Sequence, residues 1–518
     1  MSLFSKRILS RALTTVGAVA LVVTTAIQPS VAAPVSAAPA AAPAVAVPNK
    51  TITAQSVGAQ MFMWPWVSLK SECTNVLGPS GVDWIMVSPP QEDISGSQWW
   101  THYQPVSYKI DSQLGTRAQF ADMVAACNKA GVQIIVDAVI NHMTNSRQPA
   151  FAGSSYSKYI YDGLYDFQDF HNNLPLDDPN YCAGSIQNYD APFETTHCEL
   201  GGLADLATEK PNVRQAIAGY LNDLESLGVA GFRVDAAKHF GITDLTAVYN
   251  MLNPVNGKPP YFLSETIGDP ATNLPFTAIG DVFAWDYPEQ MKTIFAEGMT
   301  GLGRATEMRQ AAIGASDKTV IMVSNHDTEH HGPSALTYLS KKTFELANIF
   351  MLADPLGKPM LYTGYGVDIS TNMDDGPLAN SKGYYLPATC PKAPSATAKV
   401  AIGKFVCIQR WTSLKGMIQW HHEVGTAPMT NAAWANKILS FNRGTGFVAF
   451  NATNQPNKQT LQVNLPKGVY CDVVSGGAKA KAKGKCLGTS VTVAADGTAK
   501  VALGATSAIA LDATNKLK

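Results

Sequence analysis

Four carboxylates stand directly after short apolar runs that are spread along the chain. Runs of this kind indicate buried strands, and polar residues at their ends are candidates for an active site. Carboxylates that share one cleft cannot all ionise at their ordinary pKa, so one would keep its proton near neutral pH while another stays charged. Such a pair can cleave a glycosidic bond, with about 5–5.5 Å between the two groups in a retaining enzyme. The four residues are Asp137, Asp235, Glu265 and Asp327.

Aromatic residues after the second apolar run favour a sugar as the substrate. Trp99, Trp100 and Tyr103 lie close together in the sequence, and flat rings can cover the apolar faces of pyranose rings. The competing interpretation of these rings is an ordinary hydrophobic core. A metal-dependent hydrolase would use the same acidic and histidine residue types, but the chain has no His-x-His or HExxH motif. The sequence therefore favours glycoside hydrolysis.

Alternating strand and helix patterns predict the elements that position these residues. In one unit Thr116 can cap a helix that Gly131 ends before the next apolar run, and a second helix begins at Pro211 and ends at Gly228. Repeated βα units approaching eight in number predict a (β/α)8 barrel, in which the strand ends converge on one face. The other strand candidates are Gln60 to Trp64, Trp84 to Ser88, Tyr261 to Ser264, Asp281 to Phe283, Val320 to Val323 and Pro359 to Tyr362.

Two stretches depart from this pattern, which we expect over residues 56–425. Residues 143–200 are rich in Asn, Asp, Tyr, Gly and Ser with little periodicity, and this predicts a functional insertion after the third strand. Short alternating segments over 426–518 predict a C-terminal antiparallel β-sandwich. A cluster of lysines between Cys471 and Cys486 predicts a solvated hairpin.

The N-terminal residues have the pattern of a secretory signal. Lys6, Arg7 and Arg11 precede an apolar run, and small residues follow it, so we expect a signal peptide over 1–33. A retained anchor helix is the alternative. The Ala- and Pro-rich residues 34–55 are expected to form a linker. No other stretch is long and apolar enough to span a membrane, so the expected product is soluble and secreted.

Composition argues against other classes of protein. The 518 residues include 39 Lys and Arg against 40 Asp and Glu, a net charge of −1, which argues against nucleic-acid binding through a basic surface. The hydrophobic content of 46% is ample for a packed core. Eight cysteines without a CxxC pair argue against a zinc ribbon and indicate four structural disulfides in an oxidising compartment.

Four ordered segments resemble the motifs of the α-amylase family, glycoside hydrolase family 13. The segments cover residues 137–142, 231–239, 262–265 and 323–327. The segment 98–109, QWWTHYQPVSYK, resembles one that is typical of the animal and actinomycete branch of secreted α-amylases. The resemblance runs from about residue 56 to the C-terminus. It implies a catalytic barrel, an inserted calcium-holding domain after the third strand and a C-terminal β-sandwich, in agreement with the three zones above.

The resemblance implies a role for each residue of the site. Asp235 would be the nucleophile, and Glu265 would be the general acid and then the base. Asp327 would bind ring hydroxyls and stabilise the transition state. Arg233 would lie beside Asp235, lower its pKa and keep it ionised. Asp137 would support the site without donating a proton. The implied substrate-binding set is Arg233, His142, His326, Lys238 and His239, with Trp99, Trp100, Tyr103 and Gln104 on the opposite wall.

The resemblance also implies a bound Ca²⁺ that ties the inserted domain to the barrel. The matching positions are the side chains of Asn141 and Asp205 and the backbone carbonyls of Thr196 and His239. Oxygen donors of this kind suit Ca²⁺.

Chloride-activated members of the family bind chloride at a site formed by the equivalents of Arg233 and Asn325 together with a third basic residue. Met360 stands at that position here, and Lys358 lies two residues earlier. The sequence therefore argues against a chloride requirement.

The resemblance also implies how the eight cysteines pair, although sequence alone leaves their connectivity open. The expected pairs are Cys73 with Cys127, Cys182 with Cys198, Cys390 with Cys407, and Cys471 with Cys486.

The expected activity is retaining, endo-acting hydrolysis of α-1,4 links in starch, glycogen and malto-oligosaccharides by a secreted, calcium-dependent monomer. An α-glucan transglycosylase of the same family is an alternative, because it shares the covalent intermediate and passes the glucosyl unit to another sugar. An inactive carbohydrate-binding protein is a second alternative, against which the intact Asp235, Glu265 and Asp327 argue.

Overall fold

The computed structural model describes residues 46–171, 182, 184–268, 270–296, 316–331, 335–370 and 373–518. The predicted signal peptide over 1–33 and residues 34–45 of the predicted linker lie outside the described residues. Within the described ranges, no helix combines the length and the apolar character that crossing a membrane requires.

Eight parallel strands close into a barrel, which confirms the predicted fold class. Each strand pairs with its neighbours in the sequence, and the first pairs with the eighth, where Gly58 lies opposite Met360. The strands are almost completely buried, as expected when helices cover the outside of a parallel barrel. The strands are Gly58–Met61, Trp84–Val87, Gln133–Ala138, Gly231–Val234, Tyr261–Ser264, Asp281–Phe283, Thr319–Ile321 and Lys358–Thr363.

Two strand ends differ from their predictions. The first strand was predicted to continue to Trp64 but ends at Met61, because the backbone turns at Met63, which has a φ of 57°. The seventh was predicted to reach Val323 but ends at Ile321, although the apolar run and its burial continue. Burial alone therefore does not mark the end of a strand.

Helices follow the barrel strands, and two of them begin where local signals predict. Thr116 caps its helix through a reciprocal pair of hydrogen bonds with Gln119, and Pro211 occupies the first turn of another helix. The longer helices are Trp66–Glu72, Arg117–Lys129, Pro211–Ser226, Ile242–Tyr249, Asp286–Ala296, Lys342–Ala353 and Thr412–Val424. Shorter helical segments include Trp99–Tyr103, Ala237–Phe240, Pro270–Asn273, Leu274–Ala278, His326–His330, Tyr338–Ser340 and Ile408–Arg410.

An apolar layer fills the barrel below the polar strand ends. Ile135 and Leu263 belong to this layer, and Asp137 and Glu265 follow them by two residues in the chain. Side chains alternate between the two faces of a strand, so these carboxylates are directed into the barrel one step above the apolar layer. The layer comprises Trp84, Met86, Ile135, Ala230, Leu263, Phe283, Val320, Met322 and Met360.

The insertion after the third strand leaves and rejoins the barrel through one antiparallel pair. His142–Met143 pairs with Ala204–Asp205, so the two ends of the insertion are joined beside the barrel. A second hairpin pairs Tyr156–Ser157 with Ile160–Tyr161. The helical segments of the insertion are Phe167–Asp169, Pro192–His197 and Leu200–Gly202.

The C-terminal region forms two antiparallel four-stranded sheets, as predicted. Phe447 and Leu511 of one sheet share a buried apolar cluster with Val493 and Val501 of the other, which is the core of a β-sandwich. The lysine-rich segment forms a hairpin of Lys481–Ala482 and Lys485–Cys486 whose lysines are exposed. In spatial order the sheets are Met429–Ala435, Ile438–Arg443, Gly446–Asn451, Ser507–Asp512 and Asn457–Gln462, Thr498–Leu503, Ser490–Val493, Gly468–Cys471.

Candidate active site

The polar strand ends meet at a cavity of about 490 Å³ at the C-terminal end of the barrel. Three sequence-predicted residues, Trp100, His142 and Lys238, lie on its walls near the carboxylates. Arg233 and Asp137 lie beneath the lining, and Gln104 lies outside it beside Thr144. The predicted residues that line the cavity are Trp99, Trp100, Tyr103, His142, Asp235, Lys238, His239, Glu265, His326 and Asp327.

A buried guanidinium group joins three of the four carboxylates. Nη1 of Arg233 donates to Asp137 over 2.5 Å and to Asp235 over 2.7 Å. Nη2 of Arg233 lies 2.7 Å from Oε1 of Glu265. Arg233 is only 1% exposed, so these contacts occur away from bulk water. Asp235 and Glu265 therefore share one guanidinium, an arrangement that the short carboxyl separation of a retaining enzyme allows.

Burial and the cation of Arg233 act on the pKa of Asp235 in opposite directions. Arg233 was expected to hold the pKa of Asp235 low, but burial raises that pKa well above its ordinary value, and Arg233 only opposes the rise. Burial also raises the pKa of Asp137 to about 6 and raises the pKa of Asp327. Arg233 thus has the expected lowering effect, but desolvation outweighs a single cation that is shared among several carboxyls. The cluster therefore retains a proton more readily than isolated carboxylates would.

Glu265 accepts hydrogen bonds at both of its oxygens. Oε1 faces Arg233, and Oε2 accepts from the backbone N–H of Ala236 over 2.8 Å. Ala236 adopts a left-handed conformation with a φ of 50°, which directs its N–H toward the site at the start of the helix Ala237–Phe240. The two donors therefore fix the position of the Glu265 carboxyl group in the site.

Tyr103 anchors one wall of the cavity. Its hydroxyl donates to Asp137 over 2.8 Å, and its ring stacks on His326 with 5.2 Å between centroids and 6° between planes. Nε2 of His142 lies 3.1 Å from the carbonyl of Tyr103. Burial lowers the pKa of His142 to about 4 and that of His326 well below its ordinary value. Both rings are therefore neutral at neutral pH and can hydrogen-bond neutral hydroxyl groups.

The loop that carries Trp99 and Tyr103 is also anchored by a buried pair, His102 and Asp93, that sequence reasoning did not identify. Nδ1 of His102 lies 2.7 Å from Asp93, and both side chains are fully buried. Nε2 of His102 lies 3.1 Å from the hydroxyl of Tyr385. Since His102 directly precedes Tyr103, these contacts fix the position of the wall.

Asp327 is hydrogen-bonded to Asn325, the residue that caps the helix His326–His330. Asn325 accepts from the N–H of Thr328 over 2.9 Å and donates Nδ2 to Asp327 over 3.2 Å. Glu329 turns away from the cavity, where Tyr362 donates to it over 2.6 Å, and burial raises the pKa of Glu329 to about 8. Sequence reasoning did not identify Glu329 or Tyr362.

The wall opposite Tyr103 combines predicted and unpredicted residues. Nζ of Lys238 donates to the carbonyl of Tyr189 over 3.2 Å. Side chains that were not predicted from the sequence complete the lining. For one of them, Ile267, the sequence did offer a signal, because Ile267 follows Glu265 by two residues. The unpredicted lining residues are Tyr189, Leu200, Leu203, Ala236 and Ile267.

The proposed calcium donors lie where the insertion meets the barrel. Nδ2 of Asn141 lies 3.3 Å from Oδ1 of Asp205, and both side chains are buried. Nδ1 of His239 lies 3.0 Å from the carbonyl of Thr195, and a Cβ atom at Gly241 would lie 3.4 Å from Thr196. In the described ranges, no group of three or more His, Cys, Asp or Glu side chains is arranged to hold a metal ion.

Amide, carbonyl and single carboxylate oxygens are the donors that Ca²⁺ accepts most readily, so this set fits Ca²⁺. One oxygen of Asp205 is already 2.7 Å from Nδ1 of His171. The other oxygen, Oδ1, accepts from Nδ2 of Asn141, so an ion bound by Asp205 and Asn141 would replace this hydrogen bond.

The positions considered for chloride do not supply a cation. Met360 is fully buried in the apolar layer of the barrel and offers no hydrogen-bond donor. Lys358 lies at the opposite end of the eighth strand, beside a second cavity of about 500 Å³, and its Nζ is 2.7 Å from Asp281.

All eight cysteines are bonded, and the pairs are the ones that the family resemblance implies. The bonds join Cys73 with Cys127, Cys182 with Cys198, Cys390 with Cys407, and Cys471 with Cys486.

Comparison with known proteins identifies the family. A model described as alpha amylase, catalytic domain, matches residues 81–356, and one described as alpha amylase, C-terminal all-beta domain, matches residues 431–514. An alpha-amylase of Thermomonospora curvata is 40% identical over 82% of this chain and 68% of that protein. An alpha-amylase of Streptomyces violaceus is 37% identical over 88% of this chain and 74% of that protein.

A solved structure also matches along most of its length. It is a variant of alpha-amylase I from Eisenia fetida in complex with maltohexaose, with a TM-score of 0.78, 28% identity, and coverage of 88% of this chain and 97% of that chain. With its barrel, its β-sandwich and its cluster of carboxylates, this chain belongs to the alpha-amylase family.

Proposed function

We propose that this protein is an α-amylase that hydrolyses internal α-1,4 links of starch, glycogen and malto-oligosaccharides with retention of configuration. The observation that carries the proposal is the placement of Asp235 and Glu265 on one buried guanidinium at the base of a cavity walled by aromatic rings. Neutral glucan chains match a cleft whose histidines are uncharged.

In the first step Asp235 attacks the anomeric carbon and forms an ester bond to it. Glu265 transfers its proton to the glycosidic oxygen, so the bond to the leaving sugar breaks without release of a bare alkoxide. Positive charge develops on the ring during this step. Asp327, which projects into the cavity, would hydrogen-bond ring hydroxyls and stabilise that charge.

In the second step water replaces the leaving sugar. The ionised Glu265 removes a proton from the water, the hydroxide oxygen bonds to the anomeric carbon, and the ester bond to Asp235 breaks. Two inversions at one carbon restore the α configuration. Arg233 would stabilise whichever of Asp235 and Glu265 carries the negative charge at each stage, because it contacts both.

The remaining assignments concern the whole chain. We assign a signal peptide to 1–33, a linker to 34–55, the barrel to 56–425 with an inserted domain at 143–200, and the sandwich to 426–518. The protein would be secreted and act as a monomer. Bound Ca²⁺ would link the insertion to the barrel through Asn141, Thr196, Asp205 and His239.

The test is a reducing-sugar assay on soluble starch, with the products sized over time and their anomeric form followed by NMR. Early release of mixed oligosaccharides in the α form supports the proposal. Products that appear first in the β form contradict retention, and products longer than the substrate indicate a transglycosylase. Glu265→Gln is the matched inactive control.

A further inference from the structure

Positive charge is concentrated in the C-terminal sandwich. Residues 426–518 contain eleven Lys and Arg against three Asp and no Glu, although the whole chain has a net charge of −1. Residues 1–425 therefore carry the compensating excess of carboxylates. Such an asymmetry between two parts of a chain indicates an interaction with a charged partner. None of the roles proposed above uses it.

Lysines from three segments of the sandwich meet at one edge of a sheet. Tyr470 lies in the edge strand Gly468–Cys471 and pairs with Lys516. A Cβ atom at Gly468 would lie 3.1 Å from Nζ of Lys516, so this ammonium group adjoins the start of the strand. Nζ of Lys481 donates to the carbonyl of Lys516 over 3.0 Å, which brings the lysine-rich hairpin to the same edge. The basic patch comprises Lys467, Lys479, Lys481, Lys483, Lys485 and Lys516.

The lysines of the basic patch face the solvent without acidic partners. Five of the six side chains are exposed, and that of Lys516 is half-buried. Among the residues that the structure describes, no carboxylate forms an ion pair with any of the six. The carboxylates of Asp472 and Asp512 are buried and hydrogen-bonded within the sandwich, and the exposed Asp496 accepts from the backbone of its own turn. The positive charge of the patch is therefore free to attract an external anion.

The hairpin adds an apolar side chain to the patch. Leu487 directly follows the hairpin and is 61% exposed, and its N–H donates to the carbonyl of Ala480 over 2.8 Å at the base of the hairpin. At the tip, Lys483 has a φ of 48°, a left-handed conformation that favours Gly or Asn. The turn therefore carries its positive charge at a cost in backbone energy.

This combination suits the surface of a membrane that contains anionic lipids. The patch contains no Arg, and lysine is a point charge without a planar fork, so the patch favours many dispersed anions over one shaped anion. Lipid phosphates supply such anions, and the layer below them accepts an apolar side chain such as Leu487. A soluble phosphodiester polymer has no such layer. Tyr470, whose ring lies beneath Lys516, is buried and cannot stack on nucleic-acid bases.

We propose that the basic patch, together with Leu487, is a docking surface that holds the protein reversibly on a membrane of anionic phospholipids. A peripheral contact of this kind needs no spanning helix, and salt releases it because attraction between exposed charges is screened. Docking does not depend on the proposed activity, since none of these residues lines the central cavity.

The test is co-sedimentation of the chain with vesicles of equal parts phosphatidylglycerol and phosphatidylcholine, and with vesicles of phosphatidylcholine alone. The chain begins at residue 34, so that the apolar run of the predicted signal peptide does not contribute. It should bind the anionic vesicles only, and binding should fall steeply as sodium chloride rises from about 0.05 M to about 0.5 M. Lys479→Gln/Lys483→Gln/Lys485→Gln should lower the partition constant by about a hundredfold, or about fivefold for each lysine.

The matched control removes the same number of exposed charges from outside the sandwich. Lys129→Gln/Lys392→Gln/Lys399→Gln should change vesicle binding by less than about twofold. Leu487→Ser should weaken binding by about tenfold without changing its dependence on salt. Melting curves of all variants should coincide with that of the parent, since every substituted side chain is exposed.

Three results would overturn the docking surface while leaving the proposed function intact. They are failure to bind anionic vesicles, equal losses in the two triple variants, and capture by soluble poly(glycerol phosphate) without binding to vesicles. Unchanged binding by Leu487→Ser would likewise contradict insertion below the headgroups. A protein that binds the vesicles as expected but releases no reducing sugar from starch would support the docking surface and contradict only the proposed function.

Discussion

Arg233 and Asp235 lie two residues apart in one strand end and are joined by a hydrogen bond of 2.7 Å from Nη1 to Oδ1. Because Arg233 is buried and also contacts Asp137 and Glu265, the nucleophile proposed here is held by a group that it shares with its partner acid. A substitution at Asp235 can therefore abolish the chemistry of the site while it leaves the stability of the site largely unchanged.

Asp235→Asn should lower kcat on soluble starch by about three orders of magnitude or more, because an amide cannot form the covalent ester. The melting temperature should change little, since Arg233 keeps Asp137 and Glu265 as partners. Reducing-sugar release and a thermal melt check both points. A variant that retains a tenth of parental turnover would contradict the assigned nucleophile.

Glu265→Gln should harm starch far more than a maltoside with a good aryl leaving group. An aryl oxygen departs without protonation, so the first step no longer needs the acid. The measurement is kcat/KM for both substrates, because this ratio reports the first step. Equal losses on starch and on the aryl maltoside would contradict the role of Glu265 as the acid.

Calcium removal should lower the melting temperature by about 2–3 °C, the effect in a chain of this length of losing an ion held at roughly a hundred times its Kd. Differential scanning calorimetry with and without a chelator measures it. Asp205→Asn is the informative variant, because it removes a carboxylate donor and should reduce the calcium-dependent difference. A parent whose melting is insensitive to chelation would contradict the site.

Activity should not depend on chloride. Met360 is buried among apolar side chains, and Lys358 is paired with Asp281 at the other end of its strand, so neither offers an anion a positive partner near Arg233. Turnover in sodium chloride and in sodium acetate of equal ionic strength should agree within about twofold, a difference below roughly 0.5 kcal/mol. Strong activation by chloride would contradict this assignment.

Glu329→Gln should change how stability varies with pH. Burial raises the pKa of Glu329 from 4.5 to about 8, so the folded protein keeps a proton that the unfolded chain loses above its ordinary pKa. The stabilisation is complete below about pH 4.5 and is lost as pH rises toward 8.

Glutamine mimics the protonated acid but does not titrate. The free energy of unfolding of the Glu329→Gln variant, relative to that of the parent, should therefore rise by about 2–4 kcal/mol from pH 5 to pH 8. Melting temperatures at the two pH values measure this, with the exposed Glu289→Gln as the control. A constant difference between parent and Glu329→Gln across this range would contradict the shifted pKa.

Much of the fold could be predicted because its signals are local. The capping pair of Thr116 with Gln119 and the first-turn Pro211 mark helix starts by short-range chemistry. The family motifs then placed Asp235, Glu265 and Asp327 at strand ends, and the structure brings them to one cavity.

The rest depended on neighbours that are distant in the sequence. Strand register sets Arg233 opposite Asp137 on one side and Leu263 on the other, which allows one guanidinium to reach three carboxylates. The direction of the pKa shift of Asp235 then follows from burial, which a single sequence does not reveal. Glu329 with Tyr362 and His102 with Asp93 are likewise pairs that only the folded chain creates.

The apolar layer of the barrel has a consequence for proton movement. Side chains such as Leu263, Phe283 and Met360 form an apolar layer beneath Asp137 and Glu265. This layer favours the mouth of the cleft as the path by which protons and water enter and leave. A glucan chain that covers the mouth would then limit the proton exchange of the carboxyl cluster to the substrate and the water that it admits.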